Sequence, residues 1–169
     1  INPNHAEAHY NLGNILRNLG RLDEAEESFR QATRIKPDHA DAQINLGNTL
    51  KGMGRLVEAE SSYRQLLQLI PESAETHCNL GNLLDDMGRL EEAEASYRKA
   101  LQIRPDFSEA HSNLGNTLKN MGRLSEAEDS FRKALQFKPE NVDALTNLAL
   151  LLQETMQLAE SEATFRLAL

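Results

Sequence analysis

Residues 6–39 read AEAHYNLGNILRNLGRLDEAEESFRQATRIKPDH, and this stretch decides the fold because it returns. The triplet Asn-Leu-Gly that begins at Asn11 begins again at Asn45, Asn79 and Asn113, and as Asn-Leu-Ala at Asn147, each time 34 residues on. Gly20, Gly54, Gly88 and Gly122 keep the same step, as do Leu22, Leu56, Leu90, Leu124 and Leu158, and Pro3, Pro37, Pro71, Pro105 and Pro139. A fixed period of this size marks a stacked array of supersecondary units, none of which can bury its apolar faces alone.

Within a unit, counted from Ala6 as position 1, the first half places Ala8, Leu12, Ile15, Leu16 and Leu19 at the spacing of one apolar helix face. The second half repeats the pattern with Leu22, Ala25, Phe29, Ala32 and Ile35. Glycine at position 15 suits the left-handed residue that ends a helix. Proline at position 32 stops the second helix, because it has no N–H to donate and its ring clashes with a continuing turn. These breakers exclude a single long coiled coil. Gly13, Gly47, Gly81 and Gly115 fall inside the first helix, where glycine costs roughly 1 kcal/mol against alanine. That cost, repeated in phase, predicts close helix approach, with Ala25, Ala59, Ala93 and Ala127 facing the glycines. Phe29, Tyr63, Tyr97, Phe131 and Phe165 fill the gap above.

Together, Leu12, Gly13, Leu16, Ala25, Phe29 and Pro37 resemble the tetratricopeptide repeat, and the pattern runs through essentially the whole chain. The resemblance implies an all-α fold, a right-handed α-solenoid of about ten helices in tandem helix-turn-helix units. The expected units are 6–39, 40–73, 74–107, 108–141 and 142–169, with 1–5 the tail of a preceding unit. Three departures stand out. The family's tryptophan at position 4 is replaced by His9, Gln43, His77, His111 and Leu145; Ala149 and Met156 stand where the last unit would have glycine; Ser161 takes the place of alanine. The fifth unit is therefore expected to be the least regular.

In the family the first helices line a concave groove, which puts positions 2, 6, 9 and 13 on the groove side. Position 6 is asparagine in all five units, Asn11, Asn45, Asn79, Asn113 and Asn147; position 9 is Asn14, Asn48, Asn82 and Asn116, then Leu150. An asparagine amide both donates and accepts, so it can pair with a peptide group in either sense. Helices packed ~8–10 Å apart would meet an extended chain about every third residue. The ladder resembles that of the repeat arm of O-linked N-acetylglucosamine transferases, whose asparagines grip an extended substrate. The expected function is thus a peptide- or protein-binding scaffold with no enzymatic activity or cofactor, or, alternatively, the non-catalytic substrate-recruiting arm of a larger enzyme such as a glycosyltransferase. The plainer reading of the same asparagines is generic polar surface.

Other constellations point away from chemistry. Family members that bind chaperone tails clamp a carboxylate with lysines at positions 2 and 5 and a basic residue at position 6. Here position 2 is acidic throughout (Glu7, Asp41, Glu75, Glu109, Asp143), and position 5 is Tyr10, Ile44, Cys78, Ser112 and Thr146. The acids complement the positive end of the helix dipole, as Arg17, Lys51 and Lys119 near the ends of the first helices complement its negative end. Asp85 and Asp86 break the basic trend at the end of the first helices, and read as a solvated helix end or a preference for a basic ligand residue. His9, His77 and His111 are a helix diameter apart, too far to share a metal, and read as packing in place of tryptophan. Five Glu-Arg pairs at i,i+4, from Glu26–Arg30 to Glu162–Arg166, read as surface helix support. A net charge of -8 and pI of about 5.1 argue against nucleic-acid partners. No apolar run is long enough to span a membrane. The lone Cys78 favours a reducing compartment, so a cytoplasmic location is expected. The chain opens at Ile1 in mid-unit and closes at Leu169 with core-spaced Leu158, Phe165, Ala168 and Leu169. It is therefore read as cut from a longer array, with weak head-to-tail self-association through uncapped ends expected.

Overall fold

A computed structural model describes residues 5–168. Ile1 and Pro3, read as the tail of a preceding unit, and Leu169, read as part of the last apolar face, lie outside the described residues, as does the Ala168 side chain. Among the described residues there are ten α-helices and no strand. They are α1 (Ala6–Asn18), α2 (Leu22–Ile35), α3 (Ala40–Gly52), α4 (Leu56–Leu69), α5 (Ala74–Asp86), α6 (Leu90–Ile103), α7 (Ser108–Asn120), α8 (Leu124–Phe137), α9 (Val142–Glu154) and α10 (Leu158–Ala168). The chain forms two compact units, Ile1–Leu83 and Leu84–Leu169. In the first, α1 packs on α2, α3 on α4 and α2 on α3; in the second, α7 packs on α8, α9 on α10, α6 on α7 and α8 on α9.

Local chemistry explains the boundaries. Four of the five first helices open on a residue whose side chain accepts a backbone N–H, His5 from Ala8, His39 from Ala42, Ser73 from Thr76 and Asn141 from Ala144, whereas α7 opens on Phe107 without such a bond. All five first helices then share one ending, a left-handed residue. Gly54 has φ of 76°, and around it Arg55 N donates to the Leu50 carbonyl at 2.9 Å and Gly54 N to that of Lys51 at 2.9 Å. These crossed bonds satisfy carbonyls that a helix end leaves open. In the fifth repeat Met156 takes the same conformation, φ 63°, without glycine's freedom.

The interior glycines meet aromatic rings. A Cβ on Gly13 would lie 2.6 Å from the Phe29 ring, one on Gly47 2.4 Å from Tyr63, and one on Gly115 2.6 Å from Phe131. The expectation that alanine would face the glycine is refined accordingly: the ring occupies the space, and Ala25, Ala59 and Ala127 are buried one turn earlier on the same helices. Phe29, Tyr63 and Phe131 are wholly buried. Each contributes on the order of 1.5–3 kcal/mol through its apolar surface.

Position 4 is filled without tryptophan. His111 is buried; its Nε2–H donates to the Pro105 carbonyl at 2.9 Å, and its ring stacks on Phe137 with centroids 5.7 Å apart. His77 makes the same bond to Pro71 at 2.9 Å. Beside Gln43 a crevice of about 290 Å³ opens between α2 and α4, lined in part by Arg30, Arg34, Pro37 and Leu69.

All five Glu-Arg pairs form, and two of them belong to larger closures. Arg30 bonds Glu26 at 2.7 Å and Glu58 of the next repeat at 3.1 Å, while Arg55 bonds Glu58 at 2.7 Å and returns to Glu26 at 2.5 Å. The second unit repeats this ring: Arg98 to Glu94 at 2.7 Å and Glu126 at 3.6 Å, Arg123 to Glu126 at 2.6 Å and Glu94 at 2.7 Å. The Arg55 and Arg123 guanidiniums hold the Glu58 and Glu126 carboxyls below their ordinary range, mainly by hydrogen bonding. Glu26 and Glu94 are nearly buried, so these rings tie adjacent repeats together rather than decorating one helix.

Candidate functional site: the asparagine faces

In the first unit the asparagines sit on α1, α3 and α5. Asn11 is exposed; Asn14, Asn45, Asn48, Asn79 and Asn82 are half-buried. Two of them meet across repeats, with Asn45 Nδ2 donating to Asn14 Oδ1 at 2.8 Å. Arg17 Nη1 donates to Asn45 Oδ1 at 3.0 Å. Asn48 Oδ1 accepts the Tyr63 hydroxyl at 2.6 Å. Burial holds the Tyr63 phenol well above its ordinary pKa, so it remains protonated and donating. Thus the rungs read from the sequence as ligand contacts also bond to one another and to the core. Beside them, Glu7 accepts from His39 Nε2 at 3.2 Å, and the His39 ring lies 5.0 Å from that of Tyr10. Glu7 therefore has an inter-repeat partner besides the dipole of its own helix.

The second unit carries Asn113 and Asn116 on α7 and Asn147 on α9, all half-buried. Lys119, which holds the register of Arg17, has Nζ 3.7 Å from Glu154 Oε2. Asp85 accepts the Thr117 hydroxyl at 2.9 Å, so this acid is used inside the fold. Leu150, at the register of Asn116, is exposed.

Sequence reasoning overlooked Arg17 and Tyr63 as supports of the asparagines. The available signal was register: Arg17 lies one turn after Asn14 on the same helix, and a tyrosine in place of phenylalanine brings a hydroxyl that needs a partner when buried. Among the described residues, no group of three or more His, Cys, Asp or Glu side chains is arranged to hold a metal ion. No described helix is long and apolar enough to cross a membrane.

A family profile described as tetratricopeptide repeat matches residues 38–106, and a second with the same description matches residues 6–39 and 108–141. No curated protein matches the chain. Among solved structures, pilF of Pseudomonas aeruginosa superposes with a TM-score of 0.89 at 25% identity, covering 96% of this chain and 74% of that one. MamA gives 0.80 at 21% identity, over 96% and 89%. YrrB, described as a TPR protein with an unusual peptide-binding site, gives 0.73 at 22% identity, over 99% and 86%.

Proposed function

The chain belongs to the tetratricopeptide-repeat family, whose members are protein-interaction scaffolds, and we propose that the asparagine-bearing faces of its first helices hold an extended polypeptide by its backbone. One observation carries the reading. The amides of Asn14 and Asn45, from successive repeats, meet at 2.8 Å on one partly open face, and each still has hydrogen-bonding capacity to spare. An extended chain crossing that face can exchange bonds with successive amides whatever its side chains. Selectivity then falls to other residues on the same helices, such as exposed Asp41 on α3. That YrrB is a peptide-binding relative in fold fits this reading.

The test is selection of binders from a random dodecamer library against the chain, followed by calorimetric titration of the best peptide. Replacing Asn45, Asn79 and Asn113 together with alanine is expected to weaken it at least tenfold with the circular-dichroism spectrum retained. A folded triple variant that binds as wild type would show that the asparagines are polar surface only.

A further inference from the structure

We infer that Arg17 is a positioning residue for the asparagine face: it fixes which atoms Asn45 and Asn14 present to a bound chain. The inference rests on the proposed backbone-holding role and deepens it. An arginine side chain only donates hydrogen bonds. The Asn45 atom 3.0 Å from Arg17 Nη1 must therefore be its oxygen. That turns Asn45 Nδ2 toward α1, where it can bond only an acceptor, so Asn14 must offer Oδ1, and the two meet at 2.8 Å. One fixed charge thus sets the orientation of two amides on two helices.

What remains available follows by subtraction. Asn45 keeps one N–H and spare acceptor capacity on Oδ1, the complement of a peptide group in an extended chain. Asn14 keeps both N–H groups. Without the guanidinium either amide could flip, and a bound chain would meet a mixture of donors and acceptors. Preorganisation of this kind raises affinity by removing the cost of ordering the groups on binding. The second unit provides the contrast. Lys119, at the same register, pairs with Glu154 at 3.7 Å, and no hydrogen bond links Asn116 to Asn147 in the way that Asn45 reaches Asn14.

The experiment is a double-mutant cycle on the full chain, with the library-selected dodecamer as probe. Arg17→Met keeps the aliphatic stem and removes the donors. It is expected to weaken the peptide about tenfold in the wild-type background and less than about twofold in the Asn45→Ala background, because it acts through Asn45. Arg34→Met, which removes an exposed charge elsewhere, is expected to leave affinity unchanged. In the peptide-free protein, Arg17→Met should also collapse the two separated side-chain amide proton resonances of Asn45 toward unstructured values, while the backbone spectrum is kept. Equal weakening in both backgrounds, or unaltered Asn45 amide resonances, would overturn the inference. If Asn45→Ala weakens the peptide and Arg17→Met does not, the positioning role alone fails. If Asn45→Ala binds as wild type, or the library yields no binder, the backbone-holding reading fails and the inference with it.

Discussion

The fourth and fifth repeats, both in the second unit, have the same pair of helices built from different residues. In the fourth, Phe131 is wholly buried over Gly115, Gly122 takes the left-handed turn at φ 76°, and Arg123 closes an ion ring with Glu94, Arg98 and Glu126. In the fifth, Ala149 replaces the interior glycine, Phe165 is half-buried, Met156 takes the turn at φ 63°, and Gln157 stands where the arginine would be. The backbone solution nevertheless persists. Gln157 N still donates to the Leu152 carbonyl at 2.8 Å, as Arg123 N does to Leu118 at 2.9 Å, and Leu148, Leu151 and Leu152 are buried. Ser161, in place of alanine, satisfies its hydroxyl on the Ala149 carbonyl at 2.7 Å. The hairpin is thus over-determined, and the repeated side chains set how stable it is rather than whether it forms.

The sharpest way to break the comparison is at the interior glycine. Gly115→Ala puts a methyl 2.6 Å from the Phe131 ring; overpacking of about 1–3 kcal/mol outweighs a helix-propensity gain of about 1. A net loss of up to about 2 kcal/mol is expected, read as faster amide exchange in α7 and α8. The converse Ala149→Gly should cost about 1–2 kcal/mol, from helix propensity and the loss of a wholly buried methyl. A gain in stability from Gly115→Ala would deny that the ring-over-glycine contact distinguishes the repeats.

Next comes the turn. Met156→Gly is expected to stabilise the fifth repeat by about 1 kcal/mol, and Gly122→Met to destabilise the fourth by a similar amount, because only glycine adopts positive φ without strain. Exchange rates in α9 and α10 check the first, and urea denaturation the second.

Smaller still is the ion ring. Gln157→Arg supplies the missing corner beside Arg132 and Glu160, which lie 2.8 Å apart, and Glu128, which pairs with Arg132. The expected gain is about 0.5 kcal/mol, largely lost in 1 M salt. A gain that survives salt would mean that packing, not charge, supplies it.

The slightest difference is in pH response. Burial lowers the His111 pKa against the opposing effect of its bond to Pro105, with Lys133 adding to the lowering. The folded state therefore favours the neutral ring. The stabilising contribution is full above the ordinary value of 6.5 and fades as pH falls, since the unfolded chain binds the proton more readily. Leu145 holds this place in the fifth repeat and does not titrate. His111→Leu is expected to flatten the fall in melting temperature between about pH 7 and 5; an unchanged slope would remove His111 from the acid response.

By itself the sequence determined whatever is local. The helix ends at Gly54 and Pro37 and the Glu26–Arg30 type of pair each involve residues within one or two turns, where spacing dictates contact. The asparagine register was equally legible, since a 34-residue period puts every copy on the corresponding face of its helix. Tertiary structure decided what those residues touch. Arg17 meets Asn45 across 28 positions, Asn45 meets Asn14 across 31, Arg55 meets Glu26 across 29 and Thr117 meets Asp85 across 32. These separations fall just short of one repeat, so the partners belong to neighbouring hairpins, and only the stacking of one hairpin on the next brings their side chains within bonding distance. A guanidinium, a carboxylate or an amide at a given register has several reachable partners. Which one it takes is chosen by packing at the scale of an ångström, a scale that no periodicity carries.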